Sequence, residues 1–139
     1  MRHRSSIWIW VIILGVVSSA TQSSKQTGEQ YVGTWTGTGE GAGSSGGFEL
    51  TLEKDKEQKD AIGGRVSVTG EPAYQATLKT VAFEGQKMIA SYDFTPEPSV
   101  EVRLACTFEG NAATGTWSAF EKASGNEVLS GTWSVKKKP

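Results

Sequence analysis

The chain has 139 residues, with 14 basic and 15 acidic side chains, a net charge of −1, 17 glycines, one cysteine and one histidine. That length fits one domain, and so even a charge balance gives no reason to expect nucleic acid or an anionic membrane as partner. A single cysteine excludes a disulfide within the monomer. With the only histidine at His3, the rest of the chain has no Ser-His-Asp or Cys-His nucleophile and no histidine zinc site.

In chain order, Arg2, His3 and Arg4 make a positive start, Ile7 to Val17 is apolar, and Ser18-Ser19-Ala20 is a run of small residues. This is the anatomy of a secretory signal peptide. The apolar run is shorter than the ~20 residues of a spanning helix. Residues 1–20 are therefore expected to be removed, and the protein to be exported, periplasmic or extracellular, with no membrane association after cleavage. Without Arg2 and Arg4, 12 basic residues face 15 acids, a net charge of −3. Residues 21–30 read as a flexible polar lead-in, and residues 31–139 as a single domain.

From Tyr31 onward apolar residues recur with period two, turn signals come at short intervals, and almost nothing reads as helix. Strand one is expected over Tyr31 to Thr38, followed by a flexible loop, Gly39 to Gly47. Phe48, Leu50 and Leu52 mark strand two, and the polar run from Lys54 leads to strand three at Val66 and Val68. In the fourth element Ala76 and Leu78 share one phase and Val81 and Phe83 the other, the slip of one residue that a bulge makes. Met88, Ala90, Tyr92 and Phe94 form the apolar face of strand five. Val100, Val102, Leu104, Cys106 and Phe108 alternate with Glu101, Arg103, Ala105 and Thr107 in strand six, the clearest of all. Glu109-Gly110-Asn111 and Ser124-Gly125-Asn126 are hairpin turns bracketing strands seven and eight.

Short connections without crossover helices force antiparallel neighbours. Eight half-apolar strands hide their edges best by closing, so the predicted fold is an all-β, eight-stranded antiparallel up-and-down meander barrel. The alternative is an open or two-sheet β-sandwich. Closure would pair the first strand with the last.

The word Gly-Thr-Trp occurs three times, at Gly33, Gly115 and Gly131. Each tryptophan has a glycine two residues earlier on the same face, where it leaves room for a ring and lets the strand bend. Closure would bring Trp117, Trp133 and Trp35 onto consecutive strands. They would serve either as a plug or as the aromatic wall of a ligand site.

Gly33-Thr34-Trp35 resembles the Gly-x-Trp word that opens lipocalins and their calycin relatives, whose chains form eight-stranded meander barrels. The resemblance implies that Trp35 packs across the closed end and that the cup holds a small apolar ligand. The sequence departs from the family in having lysines and no arginine after Trp133, no Thr-Asp-Tyr word, and no C-terminal helix.

Other motifs carry no chemistry. Gly41 to Gly46 fits G-x-G-x-x-G, but lies between two antiparallel strands rather than in a βαβ unit. The acids fall on outward positions or in connections, with no catalytic pair, and Glu53 to Asp60 lacks calcium-loop spacing. Arg103 would face the interior only if strand six were inverted, which its apolar face opposes. Cys106 reads as a buried thiol, with a bridge between two chains as the alternative.

The expected function is a non-enzymatic binding protein without cofactor or metal. An apolar ligand would lie near Trp35, Trp117 and Trp133, with Phe48, Met88, Tyr92 and Leu104 lining the site. The alternative is a filled barrel whose Gly39–Gly47 and Lys54–Gly63 loops bind another protein, such as an enzyme that it inhibits.

Overall fold

The computed structural model describes residues 28–55, 57 and 61–139. The expected signal peptide lies outside the described residues, as does residues 21–27 of the lead-in. Among the described residues no helix is long and apolar enough to cross a membrane.

These residues form a single 3₁₀ turn (Glu29–Tyr31) and nine strands: β1 (Gly33–Gly41), β2 (Ser44–Lys54), β3 (Ile62–Val68), β4 (Tyr74–Thr77), β5 (Thr80–Glu84), β6 (Lys87–Asp93), β7 (Val100–Glu109), β8 (Ala112–Glu121) and β9 (Glu127–Lys137). All pair antiparallel in one curled, barrel-like sheet, in the order β4-β3-β2-β1-β9-β8-β7-β6-β5. The up-and-down meander is as predicted, and the first strand pairs with the last: Gly37 lies opposite Val135, Gly39 opposite Trp133 and Gly41 opposite Gly131.

Nine strands replace eight because the fourth element divides at its phase slip. The Leu78 amide donates to the Gly64 carbonyl at 2.9 Å, while the next amide, Lys79, donates to the Ser91 carbonyl at 2.7 Å. The chain thus passes from the edge of β3 to the edge of β6 within one residue, and the ladder is open between β4 and β5. Side chains span this opening: Tyr74 and Tyr92 hydroxyls meet at 2.7 Å, and the Thr95 hydroxyl donates to the Gln75 carbonyl at 2.9 Å.

Two local expectations are corrected. Tyr31 does not open a strand. It closes the 3₁₀ turn and stacks on Phe108, with ring centres 4.0 Å apart, and on Phe83 at 5.8 Å. Burying its ring stabilises the fold by a few kcal/mol, and Glu29 and Gln30 precede it in the same 3₁₀ turn. Gly39 to Gly47 is not a flexible loop either. Gly39 pairs with Gly46, Glu40 with Ser45 and Gly41 with Ser44, and the turn is reduced to Ala42 and Gly43, with φ values of 53° and 79°. Two consecutive left-handed residues give the turn that suits a tight hairpin. Pairing with β9 on the other side keeps the glycine-rich half of β1 extended.

One end of the barrel is filled. Trp35 packs edge-on to Phe108 at 4.9 Å, its indole N–H donates to the Tyr31 carbonyl at 2.9 Å, and Leu52, Phe108 and Val135 are fully buried around it. The Lys137 ammonium lies 5.7 Å from the Trp35 ring centre, within cation–π range. Its stem fills the space beside Gly33, where a Cβ would stand 2.9 Å from Lys137 Cε and where φ is +140°. A lysine thus covers the first tryptophan in this chain.

The strand phases fix inside and outside. Val102, Leu104, Cys106 and Phe108 are buried while Arg103 is exposed, so strand six is not inverted. Arg103 Nε donates to Glu101 at 2.9 Å and its guanidinium lies 4.2 Å from the Phe120 ring centre. Beside it Lys79 bonds both Asp93 (2.9 Å) and Glu101 (2.8 Å), and Lys122 reaches Asp93 at 2.9 Å. Cys106 is buried and unbridged, and burial pushes its thiol up to about 12.

Candidate functional site

The opposite end of the barrel is hollow. A cavity of about 320 Å³ lies between the upper halves of the strands, at the small end of the range for sites of small molecules. Phe48 enters it from β2, Tyr74 from β4, Tyr92 from β6, Leu104 from β7, Trp117 from β8 and Trp133 from β9.

The space has a local cause. Gly39 and Gly41 on β1, and Gly46 and Gly47 on β2, face this end and contribute no side chains, and Ala119 on β8 contributes only a methyl. The run read as a loop is thus the bare wall of the cavity.

Five of the seven expected ligand residues meet here: Phe48, Tyr92, Leu104, Trp117 and Trp133. Trp35 and Met88 do not. Both are fully buried toward the filled end, because their register places them below Leu104 and Phe48. Sequence reasoning left out Val68 and Val102, although their alternation was visible, and Tyr74, which precedes the phase slip. Leu129 is half-exposed and with Val128 forms an apolar lip at the mouth. Leu129 lies opposite Ala119, beside the irregularity between Ala119 and Phe120 in the pairing of β8 with β9.

The three tryptophans do not form one cluster. Trp35 belongs to the filled end, Trp133 packs against Phe48 with ring centres 5.1 Å apart, and Trp117 lies at the rim. Each indole N–H has a main-chain acceptor: Trp35 the Tyr31 carbonyl, Trp117 the Glu40 carbonyl at 3.0 Å, and Trp133 the Thr116 carbonyl at 2.9 Å. The glycines serve neighbouring strands, not their own. A Cβ on Gly131 would stand 2.6 Å from Trp117 Nε1, so the glycine of the β9 word makes room for the β8 ring.

The polar groups within are few. Tyr74 and Tyr92 share a hydrogen bond, and burial raises both phenols above their ordinary range, Tyr92 further because the Tyr74 oxygen lies beside it. Both are neutral at physiological pH. Two hydroxyls sharing one bond retain a second proton that can be donated to a ligand. Among the described residues the charged ones lining the cavity are Glu40, Glu71 and Glu97, with neither lysine nor arginine.

No protein-family model matches the chain, and no curated protein matches it in sequence. The site is therefore read from its own geometry. Among the described residues no three His, Cys, Asp or Glu side chains gather to hold a metal ion. What the arrangement can do is enclose an apolar molecule between aromatic rings and offer it a phenolic hydrogen bond.

Proposed function

We propose that the chain is an exported, non-enzymatic binding protein of lipocalin-like type that holds one small apolar ligand in this cavity. The observation that carries the reading is the cavity itself: about 320 Å³, walled by Phe48, Tyr92, Leu104, Trp117 and Trp133, and left hollow by a glycine wall. A small barrel can be packed solid or hold one ligand, and a solid barrel would leave no such space. The Gly33-Thr34-Trp35 word, with Trp35 across the filled end, supports the same reading. The rival reading, a filled scaffold acting through its loops, has less support, since all of Gly39–Gly47 except the turn at Ala42 and Gly43 is paired strand and one end of the interior is hollow.

Native mass spectrometry on residues 21–139, purified gently from the exporting host, tests the proposal. An extra mass lost on denaturation is expected. A bare polypeptide mass that no apolar molecule increases would refute it.

A further inference from the structure

We propose that the cavity selects hydrophobic cations, apolar molecules bearing an ammonium group, over carboxylates of the same shape. This rests on reading the cavity as a ligand site. Two observations decide the class. First, the wall is aromatic: Phe48, Tyr74, Tyr92, Phe94, Trp117 and Trp133 present rings to the space, and ring faces attract cations, tryptophan most strongly. Second, among the described residues every charged side chain that lines the cavity is an acid. Glu71 lies between β3 and β4, Glu97 between β6 and β7, and Glu40 on the rim of β1. The nearby cations Lys79 and Lys122 are held by Asp93 and Glu101 outside the cavity.

A fatty-acid-like anion would meet carboxylates at the mouth and no lysine or arginine among the described lining residues, and burying an unpaired carboxylate is costly. An ammonium ion avoids that cost. Its apolar body fills the ring-lined space while its charged head stays at the mouth, partly hydrated, between Glu71 and Glu97. The neutral phenols of Tyr74 and Tyr92 neither repel nor neutralise it.

Three probes with one ring system separate the possibilities: 1-naphthylmethylamine, 1-naphthalenemethanol and 1-naphthoate, titrated calorimetrically into residues 21–139. The Trp117 indole N–H resonance reports whether each enters the cavity. The amine is expected to bind at least about tenfold tighter than the carboxylate, with the alcohol between them, and the difference to shrink at high salt. The Glu71→Gln, Glu97→Gln double variant should weaken the amine severalfold and leave the alcohol within about twofold. Carboxylate binding equal to or tighter than amine binding overturns the charge selection while leaving the cavity a ligand site. Failure of all three to bind overturns the ligand-site reading and this inference with it.

Discussion

The indole N–H of Trp117 donates to the main-chain carbonyl of Glu40 at 3.0 Å, joining residues 77 apart in sequence. The bond reaches across β9, from β8 to β1, over the space left by Gly131. It fixes the ring at the mouth of the cavity, so under the proposed function one side chain would serve both stability and ligand uptake.

Trp117→Phe keeps a ring and loses this bond. The expected cost is about 1 kcal/mol of stability, the net value of one such hydrogen bond, read from urea unfolding. Uptake of apolar ligands should weaken while the strand content in circular dichroism stays unchanged. Unaltered binding by Trp117→Ala, folded to the same degree, would remove Trp117 from the site.

Two strand glycines should respond oppositely to alanine. At Gly131 a Cβ would run into the Glu40 carbonyl and stand 2.6 Å from Trp117 Nε1. Gly131→Ala should therefore cost about 1–3 kcal/mol, as overpacking does, and shift Trp117 fluorescence. At Gly63 a Cβ meets nothing within 4 Å, and Gly63→Ala should be neutral or stabilising by up to about 1 kcal/mol, since it restricts the unfolded chain. Thermal denaturation of the pair checks both.

Lys79 is the hub of the surface ion-pair group, and acid should weaken the fold through its partners. Asp93 is lowered from its ordinary 3.8 by Lys79 first and Lys122 second, and Glu101 from its ordinary 4.5 by Lys79 first and Arg103 second. A depressed carboxyl stabilises fully above its unfolded value and loses that contribution as pH falls through the folded one. Urea midpoints should thus be flat above about pH 5 and fall below 4.5. Lys79→Met should make that fall shallower. An identical acid profile in the variant would show that these pairs contribute nothing.

Cys106 should be chemically silent in the folded protein. Its thiol is pushed up to about 12 by burial, with the Met88 main chain pulling slightly the other way, and the thiolate is the reactive species. Disulfide-exchange reagents at pH 8 should label it only in denaturant. A raised thiol also binds its proton more tightly folded than unfolded, so its contribution is complete below the ordinary 9.0 and declines above it. Rapid labelling of the native chain would contradict the packing of β7.

Much of the architecture was legible because side-chain alternation is a local property. The apolar phase of Val102 to Phe108 set Arg103 outside and Cys106 inside, and the slip between Leu78 and Val81 marked where one strand becomes two. The glycine run from Gly39 to Gly47 misled because glycine has no alternation to read. Only pairing on both sides, to Gly46 and Ser44 of β2 and to Trp133 and Gly131 of β9, holds it extended.

By itself the amino-acid order determined an all-β meander, the direction of nearly every strand face, and five of the residues that line the cavity. Tertiary structure decided which glycine accommodates which tryptophan, which end is filled, and that Tyr74 meets Tyr92. The reason is geometric. Period two assigns a residue to a face of its strand, but the height at which it meets its neighbours depends on register across strands, and that exists only once the sheet has curled.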